Sequence, residues 1–253
     1  MNTDLATQLL FELFSGLPRQ GPGCPAATRQ AFSLVPPLSS GARVLDVGCG
    51  SGVQTVELAR LTDARITAID IYEPLVRKLN RKAAAEGFDG RLQAHVADMA
   101  HLDFAPGSFD LIWSEGSIFI VGFEQGLRDW RPLLKPRGYL AVSDLCWLKP
   151  DVPRECTDYL NGLCPRGVFD ADAMLAKIAG CGYRCAGHFA LPASAWWDDY
   201  YTPLQRSLGP FREKYPGEPA LSITSGAEQE IEMFRRYSDY YGYVFFLMER
   251  AGD

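Results

Sequence analysis

Basic charge is in short supply: 25 lysines and arginines stand against 31 acids, a formal net charge of −6. Gripping nucleic acid or an anionic membrane takes a basic surface that neutralises phosphates, so neither partner is expected. Histidine is scarcer still. His95, His101 and His188 are the three present, and none is spaced with cysteines to close a zinc site, so no metal is expected. The seven cysteines, at 24, 49, 146, 156, 164, 181 and 185, are odd in number and form no CxxC pair. That usage suits reduced thiols in a cytoplasmic protein better than a disulfide framework. No apolar run reaches the ~18 residues of a membrane span. Residues 1–17 lack the basic start of a signal peptide, and Asp4 and Glu12 interrupt their apolar positions.

What is present is a chain of 253 residues, 47% hydrophobic, long enough for one large domain. Leu5, Leu9, Leu10 and Leu13 recur at helical spacing, which predicts an amphipathic helix over 3–15. A Gly/Pro-dense loop over 16–25 and a second helix over 26–35 complete an N-terminal helical cap, residues 1–40. From residue 41 to 191 short apolar runs alternate with helical stretches. Strands are expected at 43–47, 65–70, 92–96, 109–113, 139–143 and 183–191, with helices at 51–61, 74–86, 123–134 and 171–179. Residues 145–169 show no clear period. Such β-α alternation demands a mostly parallel sheet covered by helices on both faces, a doubly wound α/β fold. A helical insertion over 192–241 precedes a last strand within 242–250. Nearly half of all aromatic residues lie between 191 and 246. They read either as packing for extra helices or as an aromatic lid over a substrate, with Trp196, Trp197, Tyr200 and Tyr201 as the substrate-facing candidates.

The strongest local signal is the run 44–52, VLDVGCGSG. A buried strand enters a tight turn and then a helix, whose N-terminus offers unpaired N–H groups and partial positive charge. Gly48 supplies the turn, and Gly50 and Gly52 keep side chains away from it. Ser51 and Gln54 have capping-box spacing. A dinucleotide turn is spaced G-x-G-x-x-G. Here the spacing is G-x-G-x-G, and Asp46 stands two residues ahead of it. A carboxylate there repels a pyrophosphate and welcomes an amine. The expected ligand is an amino-acid derivative, its carboxylate on the turn and its ammonium near Asp46. Asp70 closes the second strand, where an acid can take both hydroxyls of a ribose. Asp98 and Met99 follow the third strand and suit an adenine amino group and ring. Ser114 and Glu115 follow the fourth, at the switch point beside a reacting centre.

Amine, carboxylate, ribose and adenine together describe S-adenosyl-L-methionine. The chain resembles a class I S-adenosylmethionine-dependent methyltransferase over residues 40–145, and more weakly in the last strand. VLDVGCGSG is similar to the family's first motif, ITAIDIY to its second, and VADMAHLDFAPGSFDLIWS to its third and fourth. WRPLLKPRGYLAVSD is similar to the stretch around the fifth strand. The closest likeness is to the bacterial small-molecule branch that includes ubiquinone/menaquinone C-methyltransferases. The resemblance implies a seven-stranded sheet in the order 3-2-1-4-5-7-6 with strand 7 antiparallel. It also implies that Asp46, Gly48, Gly50 and Gly52 hold the methionine part, that the helix after Ser51 carries Gln54 toward the cofactor, and that Asp70 and Ile71 hold the ribose and one adenine face. Asp98 and Met99 would hold the adenine, and Ser114 and Glu115 would approach the sulfonium. Arg19-Gln20-Gly21-Pro22 would lie over the cofactor.

Methyl transfer is an in-line displacement in which the cofactor brings the reactivity and the protein aligns the partners. Glu115 is the candidate proton acceptor, with a purely structural role as its rival. Methyltransferases acting on base amino groups carry an Asn/Asp-Pro-Pro-aromatic segment after the fourth strand. Here that place reads Ser114-Glu115-Gly116-Ser117. Metal-dependent catechol-type enzymes need a carboxylate cluster near the fifth strand, and Asp144 alone does not make one. The acceptor expected is a small organic molecule. A non-catalytic S-adenosylmethionine-binding protein, a dinucleotide-dependent oxidoreductase and a homodimer stay open.

Overall fold

The computed structural model describes residues 4–252. Helix α1 (Leu5–Ser15) starts where the Asp4 side chain accepts from Thr7 N, and α2 (Pro25–Phe32) starts on a proline. The alternating region follows as β1 (Arg43–Val47), α3 (Val53–Leu61), β2 (Arg65–Asp70), α4 (Glu73–Ala85), β3 (Leu92–Val96), β4 (Phe109–Glu115), α5 (Phe123–Trp130) and β5 (Leu134–Trp147). Then come α6 (Arg154–Leu163), β6 (Phe169–Asp170), α7 (Ala171–Gly180) and β7 (Tyr183–Ala190). The insertion is helical: α8 (Ser194–Trp196) runs through a π-helical turn at Trp197–Tyr201 into α9 (Thr202–Lys214), and α10 (Ala220–Tyr237) leads to β8 (Tyr241–Arg250). No helix among the described residues is long and apolar enough to cross a membrane.

The sheet order is β3-β2-β1-β4-β5-β8-β7. All pairings from β3 to β5 are parallel, and β8 runs antiparallel to both β5 and β7. This is the order implied by the family resemblance. The structure adds β6, two residues paired to the end of β5, and α6, in the stretch where no period was legible. That stretch is short-ranged because its apolar residues face two different cores. Cys156 and Leu160 of α6 pack with the insertion, whereas Phe169 packs beneath the sheet.

Three cores result. Val44, Ile66, Ala68, Leu111 and Trp113 point to one face of the sheet, under α2, α3 and α4. Leu45, Val47, Ile112, Leu140 and Phe246 point to the other, under α5 and α7. The third core joins Leu9, Leu13 and Leu17 to α6, α9 and α10 across the carboxyl edge of the parallel strands. The N-terminal segment is therefore divided, with α1 in the insertion's core and α2 in the sheet's.

The aromatic group of the insertion sits inside this third core. Trp196 stacks on Phe234 at 4.3 Å, and Tyr201 is fully enclosed with its hydroxyl on Glu230. Trp197 is half-buried beneath the Arg235 guanidinium. Large buried aromatics cost about 3–5 kcal/mol when truncated. Trp196→Ala is expected to lower the unfolding free energy by about that amount. Trp197→Ala should cost about 1–2 kcal/mol, in keeping with the smaller area it hides. Urea unfolding followed by far-UV circular dichroism checks the contrast, and equal losses would contradict it.

Candidate functional site

Parallel strands deliver the loops that follow them to one edge, and β1 lies where the chain switches direction across the sheet. Asp46 and Gly48, Asp70, Asp98, and Ser114 with Glu115 therefore stand in one row, in the strand order β3-β2-β1-β4. Three gaps of ~4.8 Å give that row about 14 Å, the reach of an extended nucleoside carrying an amino acid.

Asp46 is fully buried. Its Oδ2 accepts from Thr55 Oγ1 at 2.6 Å and Gln54 Nε2 at 3.3 Å, and its Oδ1 is buried with no partner. Burial pushes this carboxyl up to about 7; the Thr55 bond opposes the shift, the Glu115 charge adds to it and Arg19 opposes it. Gln54 also donates to Cys49 O. The capping box is thus not formed. Helix α3 is preceded by Gly52 at φ +78 with no side-chain cap, Ser51 Oγ donates to Pro18 O, and Gln54 is spent on Asp46. The buried acid outcompetes the helix terminus for the amide.

The turn also differs from the expectation of an open backbone cradle. Gly48 N and Cys49 N donate to Ile69 O, Gly50 N to Asp70 Oδ2, Ser51 N to Gln20 Oε1 and Gly52 N to Cys49 O. No N–H from 48 to 52 is left for a ligand carboxylate. A Cβ at Gly52 would stand 2.1 Å from Leu79 Cδ1, and one at Gly48 would stand 2.4 Å from Ser117 Oγ. Those glycines admit neighbouring side chains, so the close approach they serve is protein on protein.

Asp70 is partly buried, and burial raises its pKa against the pull of the Tyr72 and Gly50 amides. Each oxygen takes one backbone N–H, from Gly50 and from Tyr72, which leaves acceptor capacity on both. Ile71 beside it is exposed, a large apolar side chain standing free at the edge. Asp98 is partly exposed and is held below the usual carboxylate range by the Ala100 amide and His101. Met99 packs against the lower core, with its Cε 3.2 Å from where a Gly48 Cβ would lie. Ser114 Oγ shares a 2.7 Å hydrogen bond with Ser117 Oγ, which reaches Val47 O.

Glu115 does not stand free as a proton acceptor. Its Oε2 pairs with Arg19 Nη2 at 2.6 Å, and its Oε1 accepts from Thr28 Oγ1 at 2.7 Å and Trp113 Nε1 at 2.9 Å. It ties β4 to α2 and to the segment between α1 and α2. That segment crosses the glycine turn through Gln20 and Pro18, and Lys78 holds its start by donating to Ser15 O and Leu17 O. Arg19 is itself buried, with Nε on Gly21 O and Nη1 without a partner. Thr28, Thr55 and Ser117 carried no sequence signal: each is a lone hydroxyl on a helix or turn, and the partners of Thr28 and Ser117 lie 87 and 70 positions away.

A second feature lies beyond the ends of β4 and β5, between α5, β6 and α7. It is a cavity of about 340 Å³ walled by Phe119, Val121, Phe123, Phe169 and Met174, with Asp144 lining it. Among the described residues Asp144 accepts only from the adjacent Leu145 N, and burial pushes its carboxyl up to about 7. Trp196, Trp197, Tyr200 and Tyr201 do not line this cavity.

Known proteins bear on this arrangement. A family model described as a methyltransferase domain matches residues 38–207, more than half of the chain. The methyltransferase GfsG of Streptomyces halstedii is 32% identical over 128 residues, which are 50% of this chain and 46% of that protein. The ubiquinone/menaquinone biosynthesis C-methyltransferase UbiE of Geotalea daltonii is 35% identical over 105 residues, 40% of this chain and 45% of that one. The chain thus spans less than half the length of these curated relatives. Among solved structures, a SAM-dependent methyltransferase from Thiobacillus denitrificans in complex with S-adenosyl-L-homocysteine superposes with a TM-score of 0.81 at 19% identity, over 98% of this chain and 99% of that one. The family match assigns the sequence: the chain belongs to the methyltransferase-domain family, and its fold is the one seen in the S-adenosylmethionine-dependent methyltransferases on which it superposes.

Proposed function

We propose that the chain transfers a methyl group from S-adenosyl-L-methionine to a small organic acceptor. The observation that carries this reading is the free Oδ1 of Asp46, a buried acceptor with no partner at the head of the glycine turn. An unsatisfied buried acceptor costs stability, so its retention points to a ligand that donates to it. The ammonium of an amino acid is such a donor. In this reading Asp70 holds the ribose hydroxyls with its remaining lone pairs, and Ile71 and Met99 flank the adenine while Asp98 accepts from its amino group. Ser114 and Glu115 border the sulfonium. Glu115 acts as a positioning residue, since its oxygens are engaged.

The cofactor supplies an activated methyl group, and the rest falls to the protein: exclusion of water and alignment. The cavity at Asp144 is the proposed acceptor chamber. Its volume lies at the small end of ligand pockets. Its walls are part apolar and part charged, with Arg128, Arg166 and Lys177 among them, which suits a compact organic molecule bearing polar groups, and Asp144 suits an acceptor that presents an O–H or N–H. A relative named for C-methylation in quinone biosynthesis supports an organic acceptor and leaves carbon as one of the atoms that can take the methyl group. The reading is tested by acceptor-dependent release of S-adenosylhomocysteine over a panel of hydroxylated and amine-bearing small molecules. Cofactor binding with no turnover across that panel would favour a non-catalytic binder.

Two further outcomes are expected. Asp46→Asn and Asp70→Ala should each weaken S-adenosylhomocysteine binding about 10-fold or more, read by calorimetry on protein whose circular dichroism is unchanged. The second concerns pH. Below about 7 the Asp46 carboxyl is protonated in the free protein, and an ammonium partner requires it ionised. Binding should therefore tighten and release a proton as pH climbs from about 5 to 8, a dependence that Asp46→Asn should flatten. The unliganded protein should show the opposite trend. Asp46 and Asp144 hold protons that the unfolded chain loses near its ordinary carboxyl pKa, so stability falls as pH rises toward and through about 7. Thermal scans between pH 5 and 8 with and without S-adenosylhomocysteine check both signs.

A further inference from the structure

If an ammonium goes to Asp46, the carboxylate of the same amino-acid group needs a donor, and the glycine turn has none to give. Every N–H from 48 to 52 is already bonded within the protein, and Gln20 Oε1 sits on Ser51 N where a ligand oxygen would otherwise lie. Among the buried side-chain atoms of the described residues, two lack partners: Asp46 Oδ1, an acceptor, and Arg19 Nη1, a donor. They belong to one cluster. Arg19 pairs with Glu115 through Nη2, and both charges act on Asp46. The pair of orphans has the polarity of a zwitterion.

We propose that Arg19 anchors the carboxylate of the ligand's amino-acid group through Nη1, opposite the Asp46 oxygen that takes the ammonium. This rests on the cofactor reading above and deepens it. The guanidinium is set for the task before any ligand arrives. Glu115 fixes one arm at 2.6 Å, Gly21 O takes Nε at 3.3 Å, and the side chain is only 6% exposed. A rigid fork with one arm engaged presents the other at little entropic cost. The segment that carries Arg19 also carries Gln20, so a single crossing both occupies the Ser51 amide and supplies the substitute donor. A zwitterion adds one charge of each sign, so it brings no net charge of its own to the cluster.

The test compares two probes by calorimetry: S-adenosylhomocysteine and its decarboxylated analogue S-adenosyl-3-thiopropylamine, which keeps the adenosine, thioether and ammonium. Wild-type protein should bind the first at least 10-fold tighter. Arg19→Met should cost S-adenosylhomocysteine about 10-fold more affinity than it costs the analogue, which shares only the loss that comes from removing a positive charge beside Asp46. Arg19→Lys keeps the charge without the fork and should show a smaller loss, confined to S-adenosylhomocysteine. Equal losses for both probes would mean that Arg19 merely holds the fold together, and the proposal falls. It falls too if wild type does not distinguish the probes, a comparison that holds even where a variant fails to fold. Absence of S-adenosylhomocysteine binding by wild type would instead overturn the cofactor reading itself.

Discussion

A carboxylate withdrawn from water with one oxygen unsatisfied is the constraint around which the carboxyl edge of this sheet is arranged. Asp46 cannot be there for stability, since an apolar side chain would fill the end of β1 without the desolvation cost. The structure limits that cost on one oxygen only. Thr55 and Gln54 are drawn from the first turn of α3 to Oδ2, in a helix that starts on Gly52 without a side-chain cap. The penalty left on Oδ1 is why the group holds its proton to about 7. That unmet acceptor is what the ammonium of the proposed ligand would satisfy.

Glu115 carries the next layer of the same logic. Its carboxylate is buried with three donors from three parts of the chain: Trp113 of its own strand, Thr28 of α2 and Arg19 of the crossing segment. Buried ion pairs contribute little net stability when whole but cost several kcal/mol when one partner is removed, about 3–5 in measured cases. Such a junction therefore acts more as a latch than as an adhesive. It fixes where the segment from Pro18 to Gly23 lies over the turn. Ala195 O accepts from Gly23 N, so the start of the insertion is tied to the same place. The cap, the sheet edge and the insertion meet at one carboxylate.

The sheet was legible in the sequence because its signals are local: apolar runs of five or six residues, acids at their ends and helices of regular period between them. The row Asp46, Asp70, Asp98 and Ser114–Glu115 was legible for the same reason, since strand ends fix position in a parallel fold. What escaped was the pairing of those acids. Whether Gln54 caps a helix or serves Asp46, and whether Glu115 is free or bound by Arg19 across 96 positions, depends on tertiary contacts with no periodic trace. The region 145–169 escaped because its side chains alternate between cores. The four aromatics of the insertion were legible as a cluster but not as to which way they face.

Their facing has a consequence for where an acceptor can enter. Trp196, Tyr200 and Tyr201 are consumed by the core that α1, α6, α9 and α10 share, and Tyr200 and Tyr201 both donate to Glu230. Tyr243 fills the space beside Gly116, with its ring 2.8 Å from where a Cβ there would stand, which shuts the approach from the insertion side. On the opposite side the loop after β4 carries Phe119 and Ile120 exposed, and Leu163 faces solvent across from them. Phe119 and Leu163 border the cavity that Asp144 lines. Arg166 bridges the two walls by donating to Phe119 O and Ile120 O. Exposed apolar side chains at the mouth of a partly apolar cavity are the arrangement expected of an entrance. Under the proposed function the insertion would be the wall at the cofactor's edge, and the stretch between β5 and α7, which lines the cavity, would shape what can be methylated.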